Sequence, residues 1–194
     1  MRSLIVLAVV FWASSLEAQD RKPLKEVVKE AQDRCVIVKT LNNQGSGVII
    51  EKNRVLVPFH LLEFNSPVFV DDMPAKILAI STVSDLVLLE VETKNFSRPL
   101  FGKVEPSNTI FYVGSPLGLR CAVVFGQVIK VDNLLYTSAI PQTGFSGSAV
   151  WLLNGDMVGF MTMMRGDKSI GGWFSVAVLG WNVLEFLKEN QEDR

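Results

Sequence analysis

The sequence predicts an all-β protein made of antiparallel β-barrels, with a short helix near each end. Three observations lead to this prediction. Short runs rich in β-branched and aromatic residues recur along the chain, turn residues separate them, and helical patterns do not alternate with them. Strands at such regular spacing are typical of antiparallel barrels, because a parallel sheet would need a crossover helix between its strands.

The first half of the chain begins with an amphipathic helix over residues 23–31, whose proline suits the first helical turn. The turn residues 42–45 then separate two strand-like runs, which indicates a hairpin. Residues 95–106 contain two prolines and show weak periodicity, so we expect them to connect two lobes. We expect strands in this half over residues 35–41, 46–50, 55–57, 68–70, 76–80 and 86–91.

The second half repeats this style of sequence without repeating the residues themselves. Asn154-Gly155 is a strong signal for a tight turn between two of its strand-like runs. An amphipathic helix is expected over residues 181–189. We expect strands in this half over residues 109–114, 121–129, 134–140, 149–153, 157–164 and 173–178.

Length and charge limit the class of protein. The chain has 194 residues, 48% of them hydrophobic, which is enough for one compact domain or two small lobes that share a core. Its formal net charge of −1 gives no electrostatic reason to expect a nucleic-acid partner or an anionic membrane surface.

The first 18 residues have the features of an export signal. Arg2 provides a short positive region, residues 4–12 are an uninterrupted apolar run, and small residues follow up to Ala18. The apolar run is well short of the roughly 20 residues that cross a bilayer, so we expect removal of the signal rather than a permanent anchor. The prediction is a secreted or periplasmic protein whose mature domain covers residues 19–194.

The two cysteines, Cys35 and Cys121, allow two interpretations. An oxidising compartment would permit one disulfide between them, whereas two buried free thiols would act as small apolar side chains. Neither cysteine has a second one at CxxC spacing, and a single histidine cannot build a zinc site of the usual kind. We expect neither a metal ion nor a cofactor.

Three residues in the order His60, Asp85 and Ser146 suggest catalysis by an activated serine. His60 is the one histidine in the sequence, so it is the only candidate for an imidazole general base. A neutral imidazole accepts the proton of the attacking serine, and a carboxylate orients the ring. Taken singly, the residues also fit a core histidine, a strand-capping aspartate and a serine in an ordinary turn. The rival carboxylates are Asp71, Asp72 and Asp132.

The context of Ser146 is the most informative of the three. Gly144 and Gly147 flank it at close range, and glycine allows backbone angles that turn N–H groups toward a common point. The amides of Gly144 and Ser146 are therefore candidates for an oxyanion hole, which binds the negatively charged oxygen of a tetrahedral intermediate.

Further phrases of the sequence occur in the order and with the spacing of one known family. Together with the three candidate residues, they resemble the trypsin-like serine peptidases, and within them the HtrA/DegP-type protease domain. The resemblance covers nearly all of the chain between Cys35 and Val178. The matching phrases lie at residues 45–50, 60–62, 74–78, 84–91, 113–119, 137–140 and 155–159.

The resemblance implies two six-stranded barrels, over about residues 34–94 and about residues 105–180, with the site in the cleft between them. It makes His60 the general base, Asp85 the residue that orients it and Ser146 the nucleophile. The chain departs from the family pattern at Phe145 and Ser148, where the family usually has Asn and Gly, and at residues 58–59 before the histidine. No PDZ-like segment follows, so we do not expect the regulated assembly of longer relatives.

The resemblance also places the pocket for the side chain that precedes the cleaved bond. None of its residues is acidic, so we expect cleavage after small or aliphatic residues rather than after Lys or Arg. The expected lining residues are Ile140, Met161, Thr162, Met163, Phe174 and Ser175.

Three hypotheses about function follow. The first is an exported serine endopeptidase that cleaves extended protein or peptide segments, which would pair with a strand edge beside the cleft. The second is a catalytically inactive binding module of the same fold, which the departures from the family pattern motivate. The third, an esterase of the α/β-hydrolase type, requires alternating strands and helices with the histidine last, and this chain has neither. The sequence leaves the oligomeric state open.

Overall fold

The computed structural model describes residues 22–63, 66–139, 142–167 and 172–190, and the predicted export signal lies outside these ranges. Within them, twelve strands form two closed, antiparallel, six-stranded barrels, with one helix before the first barrel and one after the second. The predicted fold class is therefore confirmed, and each strand-like run of the sequence corresponds to one strand.

The first barrel follows helix α1 (Leu24–Arg34) directly. Its strands neighbour one another in the order β1-β2-β3-β6-β5-β4, and the closing pair β1–β4 aligns Val38 with Val70. The predicted hairpin joins β1 to β2, where Lys39 pairs with Gln44. The strands are β1 (Cys35–Lys39), β2 (Gln44–Glu51), β3 (Arg54–Val57), β4 (Val68–Val70), β5 (Met73–Ser81) and β6 (Leu86–Glu90).

The second barrel has the equivalent order β10-β11-β12-β9-β8-β7, and helix α2 (Gly180–Glu189) follows it. The Asn154-Gly155 turn joins β10 to β11, and Gly155 has a φ of 94°, which favours glycine. The strands are β7 (Thr109–Gly114), β8 (Ala122–Val131), β9 (Leu135–Thr137), β10 (Ala149–Leu152), β11 (Met157–Asp167) and β12 (Gly172–Leu179).

Several strands bury both faces because the two barrels pack against each other. In β3, Val55 and Val57 fill the first barrel, whereas Leu56 between them packs in a core shared by both barrels. In β7, Tyr112 fills the second barrel and Phe111 points into the shared core. Successive side chains of a strand point to opposite faces, so a strand between two cores is hydrophobic throughout. This packing explains the continuous apolar runs in the sequence.

Both described helices close the shared core. Val27 and Ala31 of α1 and Val183 and Phe186 of α2 are buried in it. Helix α1 ends at Arg34, which is buried, pairs with Glu30 and donates a hydrogen bond to the carbonyl oxygen of Ser97 at 3.0 Å. The end of α1 is thereby tied to the connection between the barrels. Neither helix is long and apolar enough to cross a membrane.

Cys35 and Cys121 are free thiols that lie side by side under α1. The Cys121 thiol donates a hydrogen bond to the Cys35 carbonyl oxygen at 3.4 Å, and Ser115 Oγ lies 3.6 Å from Cys35 Sγ. The neighbouring Cys121 side chain and burial both raise the pKa of the Cys35 thiol. Because the thiolate is the reactive form, this environment slows attack by Cys35 on external reagents.

We expect iodoacetamide to modify both cysteines slowly in the folded protein, because both side chains are less than a tenth exposed. In denaturant without reductant, both should react completely, as peptide mass spectrometry would measure. A denatured protein that resists alkylation until it is reduced, with a mass lower by two hydrogens, would show a disulfide instead.

Candidate active site

His60 and Asp85 are in direct contact on the first barrel. His60 lies in a single 3₁₀ turn (Phe59–Leu61) after β3, and Asp85 immediately precedes β6 with a φ of 55°. Asp85 Oδ2 is 2.7 Å from His60 Nδ1, and Asp85 Oδ1 accepts the His60 backbone N–H at 2.8 Å. A carboxylate only accepts, so Nδ1 carries the ring hydrogen and Nε2 of the neutral imidazole can accept a proton.

The three rival carboxylates are engaged elsewhere. Asp71 accepts the backbone N–H of Ile37 at 3.0 Å. Each rival also pairs with a cation, namely Arg120 for Asp71, Lys39 for Asp72 and Lys130 for Asp132. Asp85 is thus the carboxylate that the structure brings to the histidine.

Ser146 lies on the second barrel, in the segment 142–148 before β10, which we call the serine loop. Its hydroxyl donates to the Thr162 carbonyl oxygen at 3.4 Å. Within the described ranges, no hydrogen bond joins Ser146 to His60. The structure therefore pairs His60 with Asp85 and leaves the Ser146 hydroxyl directed to strand β11.

The peptide between Thr143 and Gly144 has a fixed orientation. The Thr143 carbonyl oxygen accepts the Leu117 N–H at 3.2 Å. No described peptide bond is cis, and in a trans peptide the carbonyl and the N–H point in opposite directions. The Gly144 N–H therefore points away from Leu117.

The two glycines of the serine loop, Gly144 and Gly147, occupy positions where a side chain would not fit. Gly144 has a φ of 100°, and a Cβ there would lie 2.8 Å from the Ser115 carbonyl oxygen. Gly147 has a φ of 92°, and a Cβ there would lie 1.8 Å from the Ser46 carbonyl oxygen and 2.9 Å from Pro58 Cδ. The missing side chain at Gly147 lets the second barrel approach the first.

The two departures from the family pattern in this loop are both buried. Phe145 is 2% exposed and packs in the core of the second barrel. Ser148 is fully buried, its backbone N–H donates to the Phe145 carbonyl oxygen at 2.9 Å, and its φ is not positive. Ser148 thus needs no strained backbone, but its buried hydroxyl has no hydrogen-bond partner among the described residues. Phe145 anchors the loop in the barrel.

The residues expected to line the specificity pocket lie on strands next to the serine loop, except Ile140, which lies outside the described residues. The Thr162 carbonyl oxygen accepts the hydrogen bond from the Ser146 hydroxyl, and the next residue, Met163, is 53% exposed. Met161 is 2% exposed and packs in the barrel core. Phe174 is 9% exposed and packs against the Tyr136 ring. The Ser175 hydroxyl donates to the Ala139 carbonyl oxygen at 2.6 Å.

One residue in contact with the serine loop was not singled out from the sequence. Ser46 in β2 is fully buried, and its hydroxyl donates to the Gly144 carbonyl oxygen at 2.6 Å. The sequence did hold a similar signal for it, because Ser46 lies directly between Gly45 and Gly47.

Two clefts of about 930 Å³ and 480 Å³ lie away from these residues. Both are lined partly by the connection between the barrels, including Ser97 and Arg98, and neither includes His60, Asp85 or Ser146. The candidate catalytic residues therefore lie at the junction of the barrels, outside both of these clefts.

Gly147→Ala should destabilise the protein strongly, because the new Cβ would overlap the Ser46 carbonyl oxygen. Gly155→Ala is the matched control: its φ of 94° is nearly the same, but its Cβ would meet Val27 at an ordinary 3.4 Å. A positive φ alone costs about 1–2 kcal/mol for a residue with a Cβ. We expect a larger loss in the free energy of unfolding for Gly147→Ala, measured in urea; equal losses would contradict the close contact.

No family model matches the chain. It is 28% identical over 148 residues to the magnetosome formation protease MamE of Paramagnetospirillum magneticum, covering 64% of this chain and 20% of that protein. It is 22% identical over 152 residues to a probable periplasmic serine endoprotease, DegP-like, of Chlamydia muridarum, covering 69% of this chain and 30% of that protein. The chain thus spans less than a third of the length of these curated relatives.

Solved structures show the same fold. The serine endoprotease of Yersinia pestis has a TM-score of 0.75 at 20% identity, over 89% of this chain and 68% of that one. An inactive mutant form of Rv3671c of Mycobacterium tuberculosis has a TM-score of 0.72 at 16% identity, over 90% of this chain and 96% of that one. The predicted resemblance is confirmed: this chain has the double-barrel fold of trypsin-like proteins, and its relatives by sequence are a protease and a DegP-like serine endoprotease.

Proposed function

We propose that this chain is an exported serine endopeptidase that hydrolyses peptide bonds through His60, Asp85 and Ser146. The observation that supports this most is the double contact of Asp85 with the ring and the backbone of His60. An aspartate that only capped the start of a strand would accept backbone N–H groups without also binding a histidine ring. The names of both curated relatives, a protease and a serine endoprotease, support the same reaction.

In the first step, Ser146 Oγ attacks the carbonyl carbon of the peptide bond, and its proton passes to Nε2 of His60. The Asp85 carboxylate, 2.7 Å from Nδ1, then stabilises the imidazolium and keeps the ring in place. The carbonyl oxygen of the substrate becomes an oxyanion, which the N–H groups of Gly144 and Ser146 bind.

In the second step, the imidazolium donates its proton to the nitrogen of the leaving amine, and the carbon–nitrogen bond breaks. The acyl group remains on Ser146 Oγ as an ester. A water molecule then attacks the ester carbonyl carbon, with Nε2 of His60 again accepting the proton. The imidazolium returns this proton to Ser146 Oγ as the ester carbon–oxygen bond breaks, and the acid product leaves.

This mechanism requires the Ser146 hydroxyl to turn from Thr162 toward His60. Its present hydrogen bond is long, at 3.4 Å, and therefore costs little to break. Catalytic hydrogen bonds are often loose without substrate and tighten in the complex, so the present rotamer is compatible with the mechanism.

The substrates we propose are extended protein or peptide segments. Strand β11 pairs with β10 only between Met157 and Phe160, whereas its later residues pair with β12 alone among the described strands. In this later part the Met163 side chain is half exposed. A substrate strand that lies along this region would gain backbone hydrogen bonds, which serve many sequences. Such binding does not need a deep cleft. Export, with a periplasmic or secreted location, is supported by the signal-like first 18 residues and by the periplasmic name of the Chlamydia muridarum relative.

A second candidate function is a binding module of the same fold without catalysis. The observation in its favour is that Ser146 donates to Thr162 and makes no described hydrogen bond with His60. In this case the junction of the barrels would bind an extended segment without cleaving it.

A fluorophosphonate probe distinguishes the two candidates, because it reacts with serines that a base activates. We expect the purified protein to be labelled at Ser146, and labelling to be lost in Ser146→Ala and His60→Ala. Labelling is read by gel fluorescence and by peptide mass spectrometry. A folded wild-type protein that shows no labelling would contradict the endopeptidase and favour the binding module.

Asp85→Asn should keep the fold and lower the rate of labelling by about 10³–10⁴-fold, because an amide no longer enforces the tautomer with a hydrogen on Nδ1. Asp132→Asn is the matched control, since Asp132 is a partly exposed carboxylate that pairs with Lys130. A rate in Asp85→Asn within a few-fold of the control would remove Asp85 from the mechanism.

Profiling with a peptide library should show cleavage after small or aliphatic residues, because no acidic residue occurs among the expected pocket residues. A basic side chain would lose its hydration there without gaining a counter-charge. Mass spectrometry of the products gives the cleaved positions; predominant cleavage after Lys or Arg would show that the pocket lies elsewhere.

A further inference from the structure

Ser46 joins the two barrels at the serine loop through three hydrogen bonds. Its hydroxyl donates to the Gly144 carbonyl oxygen at 2.6 Å and accepts the Ser115 N–H at 2.8 Å. Its backbone N–H donates to the Ser146 carbonyl oxygen at 2.8 Å. All three partners belong to the second barrel or its loops, whereas Ser46 lies in β2 of the first.

The direction of the Ser46 hydroxyl is determined by these partners. A serine hydroxyl has a single hydrogen to donate, and the Ser115 N–H already occupies one of its lone pairs. The hydrogen is then directed to Gly144, whose carbonyl oxygen can only accept. Ser46 is fully buried, so water does not compete for this bond.

Gly144 is the place in the serine loop where such a contact matters most. The peptide before it is oriented by the Leu117 N–H, and the peptide after it carries the carbonyl that Ser46 binds. Glycine crosses between backbone conformations more easily than any other residue, so Gly144 alone would not hold either peptide. The contacts of Leu117 and Ser46 fix one peptide each.

The Ser46 hydroxyl lies in a tightly packed region, where no other side chain is placed to form its hydrogen bonds instead. A Cβ on Gly114 would lie 2.9 Å from Ser46 Oγ and 2.7 Å from Phe145 Cδ1. Loss of the hydroxyl would therefore leave the Ser115 N–H and the Gly144 carbonyl without this partner in a packed region. An unsatisfied buried polar group costs about 1–3 kcal/mol, which a rearranged loop would relieve.

We propose that Ser46 is a positioning residue, which clamps the serine loop from the first barrel. It holds the Gly144 and Ser146 carbonyls on either side of the Ser146 amide, so that this amide faces the reacting oxygen together with the Gly144 amide that Leu117 orients. The inference rests on the proposed function, because it concerns the oxyanion hole of that reaction. Ser46 touches neither substrate nor reacting atoms, and it acts through the carbonyls of Gly144 and Ser146.

The test compares Ser46→Ala with Tyr112→Phe. Both variants lose only a buried hydroxyl oxygen, and that of Tyr112 is bonded to Thr137 at 2.8 Å inside the second barrel. For a peptide substrate that the wild type cleaves, we expect kcat of Ser46→Ala to fall about 10–100-fold with KM within a few-fold, because the misplaced amides act on the transition state. Tyr112→Phe should keep kcat at comparable thermal stability.

Hydrogen exchange over residues 142–148 gives a second readout that does not depend on activity. We expect these amides to exchange faster in Ser46→Ala than in the wild type or Tyr112→Phe. Should Ser46→Ala fail to fold, Ser46→Cys retains a weak donor and should show the same changes at smaller size.

The outcomes separate the two proposals. An active wild type whose Ser46→Ala variant keeps its kcat and its exchange rates would overturn the role of Ser46 and leave the endopeptidase standing. A wild type that the fluorophosphonate probe does not label would overturn the endopeptidase. In that case, unchanged exchange over residues 142–148 in Ser46→Ala would overturn the clamp as well, and faster exchange would uphold it.

Discussion

The close backbone contact between β2 and the serine loop is the constraint on which the rest of the site depends. Gly147 has no side chain, so the Ser46 carbonyl lies against its Cα, where a Cβ would be only 1.8 Å away. The same glycine lies against Pro58, two residues before His60. Because Gly147 lacks a side chain, the loop that carries Ser146 can lie directly against β2 and against the segment that leads to His60.

The shared core keeps this junction rigid. Because strands such as β3 and β7 bury both faces, the barrels are fixed to each other by side chains as well as by the few hydrogen bonds at the site. Leu56 and Phe111 are both completely buried in that core. Close-packed interiors resist small displacements, and catalysis by oriented amides requires placement to within a fraction of an ångström. The fold therefore supplies stiffness, and the junction carries the groups that we propose to be reactive.

The sequence predicted every described strand because strand runs and turn residues are local signals. Asn154-Gly155, for instance, indicates its turn whatever the rest of the chain does. The sequence also indicated the unusual backbone conformation at Gly144 and Gly147, because only glycine adopts such angles without steric strain. The bond from Ser46 to Gly144 was not, because it joins residues 98 positions apart and leaves no periodic trace. The hydrogen bond from the Ser146 hydroxyl to the Thr162 carbonyl oxygen likewise joins two separate parts of the chain, 16 positions apart, so no local pattern encodes it.

Phe145 and Ser148 depart from the family pattern, and their surroundings leave space for both, although the buried Ser148 hydroxyl has no hydrogen-bond partner among the described residues. A Cβ on Gly114 would lie 2.7 Å from Phe145 Cδ1 and would collide with Ser148 Oγ, so the missing side chain at Gly114 makes room for both. The departures therefore do not by themselves argue against catalysis. The proposed endopeptidase mechanism requires the Ser146 hydroxyl, which donates to Thr162, to turn toward His60. Ser146 is partly exposed, and side chains of this kind change rotamer within picoseconds to nanoseconds. The reorientation that the mechanism requires is therefore fast compared with peptide hydrolysis.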